Sequence, residues 1–484
     1  MNDKKQSFFS NLLWRFMERC GAQVVSFVVS VVLARLLDPS LYGTIALVTV
    51  VTSILNVFVD SGMANALIQK KNADDLDFSS VFYFNVAFCL VLYTLLFFCA
   101  PLLSRLYHND SLVPVFRVLG LTIVVSGVKN VQQAYVAKTM QFRRFFFATL
   151  GGTIFSAAVG ITLAYLGYGV WALVFQQLLN VTVNTVILWL TVGWKPKRVF
   201  SWQRLGGLIS YGWKLLISQL LDTAYLKLYQ FIIGLRYSTA DLAYYNRADQ
   251  FPNLIMENTN ASLDSVLLPV LSSEQDDPVR VREMTSRAIR VSTYVLMPLM
   301  AGLAVCAEPL IRFLLTDKWL PCVPYMQIFC IYYAFWPLHT ANLNAIKATG
   351  HSGIFLYQEI LKKLLETAVL LVTMRYSVMA ITWGLLFSGF ASVIINAWPN
   401  RKLLHYSLLQ QLRDALPAML LSLAMAAVIF PVTRTDLPDL VKLLIMVPAG
   451  AAVYVAGSVL FKVESFRYIR DVLLSLVHRR QADT

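Results

Sequence analysis

The sequence predicts an all-α polytopic membrane protein of about 14 transmembrane helices, in two pseudo-symmetric six-helix lobes with a two-helix tail. Three observations carry that expectation: composition, an internal repeat, and an uneven division of Lys and Arg between successive loops. Of the 484 residues 57% are hydrophobic and 14% charged, and the mean hydropathy is +0.61, outside the range of soluble domains. Strand-type alternation is missing, which argues against a barrel.

Each expected span is a run of mostly apolar residues long enough to cross the hydrocarbon core as a helix, the form in which every backbone polar group is satisfied internally. The first, 11–34, follows a basic start, "MNDKKQSFFSNLLWRFMERC". Arg15, Glu18 and Arg19 interrupt its apolar run and no small-residue cleavage site follows, so it reads as a retained helix and not a signal peptide. Runs at 42–68, 79–104, 112–136, 146–166 and 169–192 complete the first lobe, 1–205. The second lobe, 206–405, holds runs at 207–234, 242–270, 286–308, 323–347, 353–374 and 378–398. The tail, 406–484, adds 412–432 and 440–461 before a basic C-terminus. The loops are short, and none can house a folded soluble domain.

The repeat relates the two lobes. "GVWALVFQQLLNVTVN" (169–184) overlays "ITWGLLFSGFASVIIN" (381–396) at an offset of 212, pairing Trp171 with Trp383, Phe175 with Phe387 and Asn184 with Asn396. "QAYVAKT" (133–139) lies over "NAIKATG" (344–350) at 211, and Trp14 over Trp213 at 199. Both copies begin at the same side and hold an even number of spans. They are therefore expected to be parallel repeats about an axis along the membrane normal, a plan in which secondary transporters bind substrate between the repeats.

Direction follows from the cations. One set of loops holds only Arg35, Arg105, Arg236, Arg312, Lys318, Arg375 and Arg434, whereas the other set and the two ends hold 24 Lys and Arg. The positive-inside rule then puts both termini in the cytoplasm. The net charge of +14 is accounted for by anionic headgroups and calls for no nucleic acid. Six cysteines lie in apolar contexts without CxxC or metal spacing, so neither a disulfide framework nor a metal site is expected, and no cofactor.

Several spans carry polar residues three or four apart, hence on one helix face. Asn56 and Asp60 mark the second, Gln176, Asn180 and Asn184 the sixth, Lys214, Ser218 and Asp222 the seventh, and Glu359, Lys362, Lys363 and Glu366 the eleventh. The eighth is the densest: Asn246, Asp249, Asn253, Glu257, Asn260 and Asp264, with Arg247 alongside. A charge at the bilayer centre costs about 2.5 to 3.5 kcal/mol on insertion, so it persists where it meets water or a partner. The eighth span is expected to line an aqueous cavity between the lobes; polar packing between helices is the competing reading, and the preferred one for the uncharged sixth. Arg15, Arg19 and Lys214 fall in the cytoplasmic half, where cations suit a phosphate-bearing substrate, with snorkelling to the interface as the alternative. The site candidates for substrate are Arg15, Arg19, Lys214, Arg247, Asn253 and Asn260.

The words "LARLLDPSLYGTIALV" (33–48), "DSGMANALIQKK" (60–71), "VFYFNVAF" (81–88), "QFRRFFF" (141–147) and "DKWLPCVPYMQIF" (317–329) resemble the polysaccharide-transporter branch of the MOP flippase superfamily, the Wzx-like and colanic-acid exporter-like group. The likeness runs over about residues 10–400 in order, and the tail adds nothing to it. It implies a multi-pass protein of the bacterial inner membrane that flips undecaprenyl-pyrophosphate-linked oligosaccharide repeat units to the periplasmic leaflet. The substrate lipid, membrane lipids and polysaccharide polymerase or export machinery would be its partners. An ion gradient or the membrane potential would drive it, which makes Asp60, Asp222, Glu257 and Asp264 the coupling candidates. Thr316 stands where many relatives carry Gly before the "KW" word.

Two other classes compete with this reading. A membrane-embedded polymerase or ligase needs catalytic groups on a long outward loop, whereas the longest here, 309–322, is short. Asp75 and Asp77 form a D-x-D without a domain to hold a nucleotide, the five histidines share no spacing with an acid partner, and there is no P-loop. A drug exporter of the same superfamily would want an anionic or apolar pocket in place of the cations of spans one and seven.

Overall fold

The computed structural model describes residues 21–60 and 63–482. Every described secondary-structure element is helical. After α1 (Gly21–Leu36) come α2 (Pro39–Asp60), α3 (Met63–Gln69), α4 (Asp75–Leu106), α5 (Leu112–Lys138), α6 (Phe142–Tyr165), α7 (Val170–Thr191), α8 (Trp202–Arg236) and α9 (Thr239–Ser273). They are followed by α10 (Pro278–Val305), α11 (Ala307–Leu315), a 3-10 turn (Asp317–Cys322), α12 (Val323–Ala334), α13 (Trp336–Ala348), α14 (Ser352–Thr373), α15 (Val378–Leu403), α16 (Leu408–Thr433), α17 (Asp439–Leu460) and α18 (Glu464–Ala482). Among the described residues nine helical segments are long and apolar enough to cross a membrane. The chain is an all-α multi-pass membrane protein.

Helix starts follow local chemistry. Asp74 caps α4 by accepting from the Asp77 amide while the Asp77 carboxylate accepts from the Asp74 amide, a reciprocal box. Ser407 and Gln410 do the same for α16. Asp277 caps α10, whose first residue, Pro278, has no N–H to leave unsatisfied. The expected span 323–347 breaks at Phe335 (φ −93°, ψ 1°) into α12 and α13. Pro337 explains the break, because it offers no N–H to the Tyr333 carbonyl and its ring would collide with it.

The chain forms two compact units that divide between Ala243 and Tyr244, inside α9. In the first, α8 packs on α2, α3 and α4, although the repeat assigns it to the head of the second lobe. The core of this unit gathers Leu67, Phe78, Val131, Phe145, Leu188, Trp194 and Leu205. Small residues set its closest approaches, since lipid tails give apolar helices little reason to associate and van der Waals contact must do so. A Cβ on Gly43 would lie 1.7 Å from the Thr239 carbonyl oxygen, and one on Gly152 would lie 2.9 Å from the Asn180 carbonyl oxygen.

In the second unit α10 packs on α16, α12 and α13, and α17 packs on α16 and α11. Leu271, Val281, Ile289 and Met297 share one core with Leu338 and Ala341 of α13 and with Leu421, Met425 and Tyr454 of the tail. The tail helices are thus part of this unit's interior. They are not an appendage.

Candidate functional site

Arg15 and Arg19 lie outside the described residues. Of the remaining candidates Asp60 lies at the end of α2, and the others fall on α8 and α9, whose polar faces lower their hydropathy: each is 35 residues long, yet neither is among the nine apolar spans, nor is α14, of 22 residues. In the first unit, Lys214, Ser218 and Asp222 form one exposed line on α8. Asp60 is exposed at the end of α2, where the Asn130 amide donates to it at 3.3 Å and to the Val59 carbonyl at 2.7 Å. Lys129, beside Asn130 on α5, interacts electrostatically with Asp60. Lys129 is absent from the sequence candidates, although Ser126, Asn130 and Gln133 stand three or four residues from one another around it and that spacing marks a polar face.

The sixth-span stripe faces α6. Asn180 donates to the Thr153 and Ser156 hydroxyls at 3.3 Å each, and Gln176 lies against Gly160. This is polar packing between two helices.

One end of the first unit is an ion-pair cluster built on the D-x-D. The Asp77 carboxylate is fully buried and meets Lys70 at 2.7 Å and Arg204 at 3.5 Å. Asp75 accepts from Lys197 at 2.6 Å and from the Trp194 indole at 3.1 Å. Asp74 meets Arg204 at 3.2 Å, and the Asp77 amide, with Arg204 and Lys70 assisting, holds its carboxyl below the usual carboxylate range. Lys138 donates to the Leu67 carbonyl at 2.9 Å, closing the end of α3. These carboxylates anchor the 194–204 segment to the start of α4, and among the described residues no group of His, Cys, Asp or Glu is placed to hold a metal ion.

In the second unit the α9 stripe divides. Asp249 accepts from the Tyr333 hydroxyl at 2.7 Å, Asn260 from the Thr340 hydroxyl, and Asp264 from the Asn344 amide at 2.7 Å. The last two pairs repeat at a spacing of four on both α9 and α13, so those helices are matched in register. Asp264 nevertheless remains exposed, as does Glu257, while Asn253 is half-buried. Arg247 is buried, with its guanidinium 5.0 Å above the Trp319 ring and donating to Gln250 at 2.7 Å. Trp319 is the aromatic of the "KW" word, and packing under Arg247 accounts for its place there.

Behind this face lies a buried amide network. Asn342 donates to Gln411 at 2.7 Å and Asn400 donates to Asn342 at 2.6 Å, joining α13, α15 and α16. The Asn396 amide meets the His339 ring at 2.9 Å. On α14, Lys362 is buried and pairs with Glu359 at 2.5 Å. The stripe expected on the eleventh span is thus partly neutralised within its own helix. The amide contacts could not be read from the sequence, since their partners are dozens of residues apart, whereas Lys362 and Glu359 are three apart on one helix face.

Comparison with known proteins places this geometry. The model of a family described as "Polysaccharide biosynthesis protein" matches residues 32–324. The succinoglycan biosynthesis transport protein ExoT of Rhizobium meliloti is 22% identical over 357 residues, 74% of this chain and 72% of that one. The teichuronic acid biosynthesis protein TuaB of Bacillus subtilis is 21% identical over 410 residues, 83% of this chain and 85% of its own. The fold is similar to that of the Lipid II flippase MurJ in an inward closed conformation, with a TM-score of 0.75 at 16% identity, covering 95% of this chain and 100% of that one.

Proposed function

We propose, from the premise that this chain belongs to the polysaccharide biosynthesis protein family, that it flips lipid-linked oligosaccharide repeat units from the cytoplasmic to the periplasmic leaflet of a bacterial inner membrane. The chain is a polysaccharide transporter of the MOP superfamily and not an enzyme. Undecaprenyl pyrophosphate is the proposed anchor and alternating access the proposed mode. Fourteen crossings in two six-helix lobes plus a tail, with both termini cytoplasmic, is the proposed plan.

One observation carries the reading. Helices α8 and α9 keep Lys214, Asp222, Glu257 and Asp264 exposed along lengths that would span a bilayer. Facing lipid, each such charge would cost several kcal/mol, whereas a hydrophilic headgroup crossing the membrane needs a wet, polar path. Lys214 and Arg247, with Arg15 and Arg19, would grip the pyrophosphate, and Asn253 and Asn260 would hydrogen-bond sugar hydroxyls. Asp60, Asp222, Glu257 and Asp264 would couple the cycle to an ion gradient, and a polymerase in the outer leaflet would take the product.

The test is export in a host whose own copy has been deleted. Lys214→Ala should stop the appearance of surface polysaccharide at normal protein level, with lipid-linked repeats accumulating on the cytoplasmic side, while Lys214→Arg retains export. Normal export in both Lys214→Ala and Arg19→Ala would remove the cationic path and with it this reading.

A further inference from the structure

A second cluster of cations, apart from the polar path, lies where α10, α16 and α18 meet. Arg287 and Arg290 come from α10, Arg413 from α16 and Arg467 from α18, against two carboxylates, Asp414 and Glu464. Asp414 is already engaged: Ser286 donates to it at 2.6 Å, Tyr406 at 2.5 Å, and the Arg290 Nε lies 4.0 Å away. Glu464 pairs with Arg290, but its side chain is 73% exposed and little else holds it. The Arg290 Nε is buried without a hydrogen-bond partner. Arg287 lies 5.7 Å from the Tyr468 ring, and among the described residues neither Arg413 nor Arg467 has a carboxylate within ion-pair distance. Arg287, Arg290 and Arg467 line a cavity of about 270 Å³, and a second of about 220 Å³, which Arg413 and Asp414 line, shares Arg290, Glu464 and Ser465 with it.

Four guanidiniums set against two engaged carboxylates leave an excess of positive charge that a bound anion would offset. The level of the pocket says which anion. Helix α18 begins at Glu464, shortly after α17, a membrane-crossing helix, ends at Leu460. Its Phe466 and Ile469 pack inward on the unit's core while Arg467 and Arg470 stay exposed, the pattern of a helix lying in the interface. The pocket therefore opens at headgroup depth, where each basic side chain is drawn to anionic lipid. We propose that it binds the phosphodiester of an anionic phospholipid, held by guanidinium pairs that match its non-bridging oxygens, and that this lipid fastens α18 to α10 and α16. The proposal does not rest on the flippase reading, since none of its residues belongs to the proposed substrate path.

Native mass spectrometry of the full chain, released from detergent after titration with phosphatidylglycerol, tests this. The unaltered protein and Arg470→Gln, whose guanidinium meets Asp471, should retain one phosphatidylglycerol. Arg287→Gln and Arg467→Gln should each bind it about fivefold more weakly, the effect of losing one basic group near the surface. Glu464→Gln leaves every guanidinium in place and frees Arg290, so it should bind more tightly, a gain that a misfolded variant cannot produce. Equal retention across all variants, equal retention of phosphatidylcholine, or displacement of the lipid by millimolar inorganic phosphate or pyrophosphate would overturn the proposal.

Discussion

Asp60 and Lys129, on α2 and α5, two helices long and apolar enough to cross a membrane, interact electrostatically. Removing either leaves the other charge uncompensated, whereas removing both leaves none. Lys129→Met and Asp60→Asn should each lower stability by about 1 to 3 kcal/mol, and the double variant should lose less than their sum by roughly 1 kcal/mol. Unfolding in mixed micelles, monitored for all three proteins, measures this, and strict additivity would mean that the two charges act independently. Asp60 stands in the "DSGMANALIQKK" word, while Lys129 lies among Ser126, Asn130 and Gln133 on the fourth span, a polar face outside the words that carry the resemblance. At Thr316 the backbone has φ 81°, a region that suits Gly and strains a β-branched residue, so the Gly that the resemblance leads one to expect before "KW" has a backbone reason.

Helices were legible where hydropathy and length sufficed. From residue 79 onward each expected span coincides with a described helix, or with the pair α12 and α13. What hydropathy missed was short or mixed: α11 and the amphipathic α18 are too brief or too polar for a spanning run, and the break at Phe335 is a backbone effect of Pro337. The polar face of α9 was legible as a stripe, but its partition was not, because Asn260 and Asp264 find their partners 80 residues away on α13. That partition makes a prediction. With single cysteines on α9, a charged, membrane-impermeant thiol reagent should reach positions 257, 261 and 264, all exposed and three or four residues apart. It should miss 256 and 267, which are buried, and Val266, which is exposed but apolar, should react only with a membrane-permeant reagent if it faces lipid. Protection of 257 and 264 from the charged reagent would mean that lipid or protein covers this face, and would leave the stripe as packing.

Across the molecule, each unit sorts its cations by end. In the first, Lys70, Lys138, Lys197 and Arg204 gather around the start of α4, while Arg105 and Arg236 lie at the opposite ends of α4 and α8, where Tyr107 packs on Phe231. In the second, Arg287 and Arg290 of the first half of α10 lie with Arg413 and Arg467 near the starts of α16 and α18, and the sparse cations Arg312 and Arg434 are held near the far ends of α11 and α16, beside Asp317 and Phe430. The cation-rich ends therefore belong to the loops that the positive-inside rule assigns to the cytoplasm, and the direction of transport depends on that assignment. In a cysteine-free background, an impermeant maleimide added to intact cells should label cysteines placed at Ser238 and Asp436, both exposed in loops between cation-poor ends. It should label cysteines at Arg198 and Glu283, equally exposed, only after the membrane is opened. Removing the native thiols should be tolerated, because Cys89, Cys306, Cys322 and Cys330 are buried without disulfide partners and act as small apolar groups. Labelling of 198 from outside would invert every helix at once: the cationic ends would then face away from the cytoplasm, and a substrate made in the cytoplasm would meet the cation-poor side first.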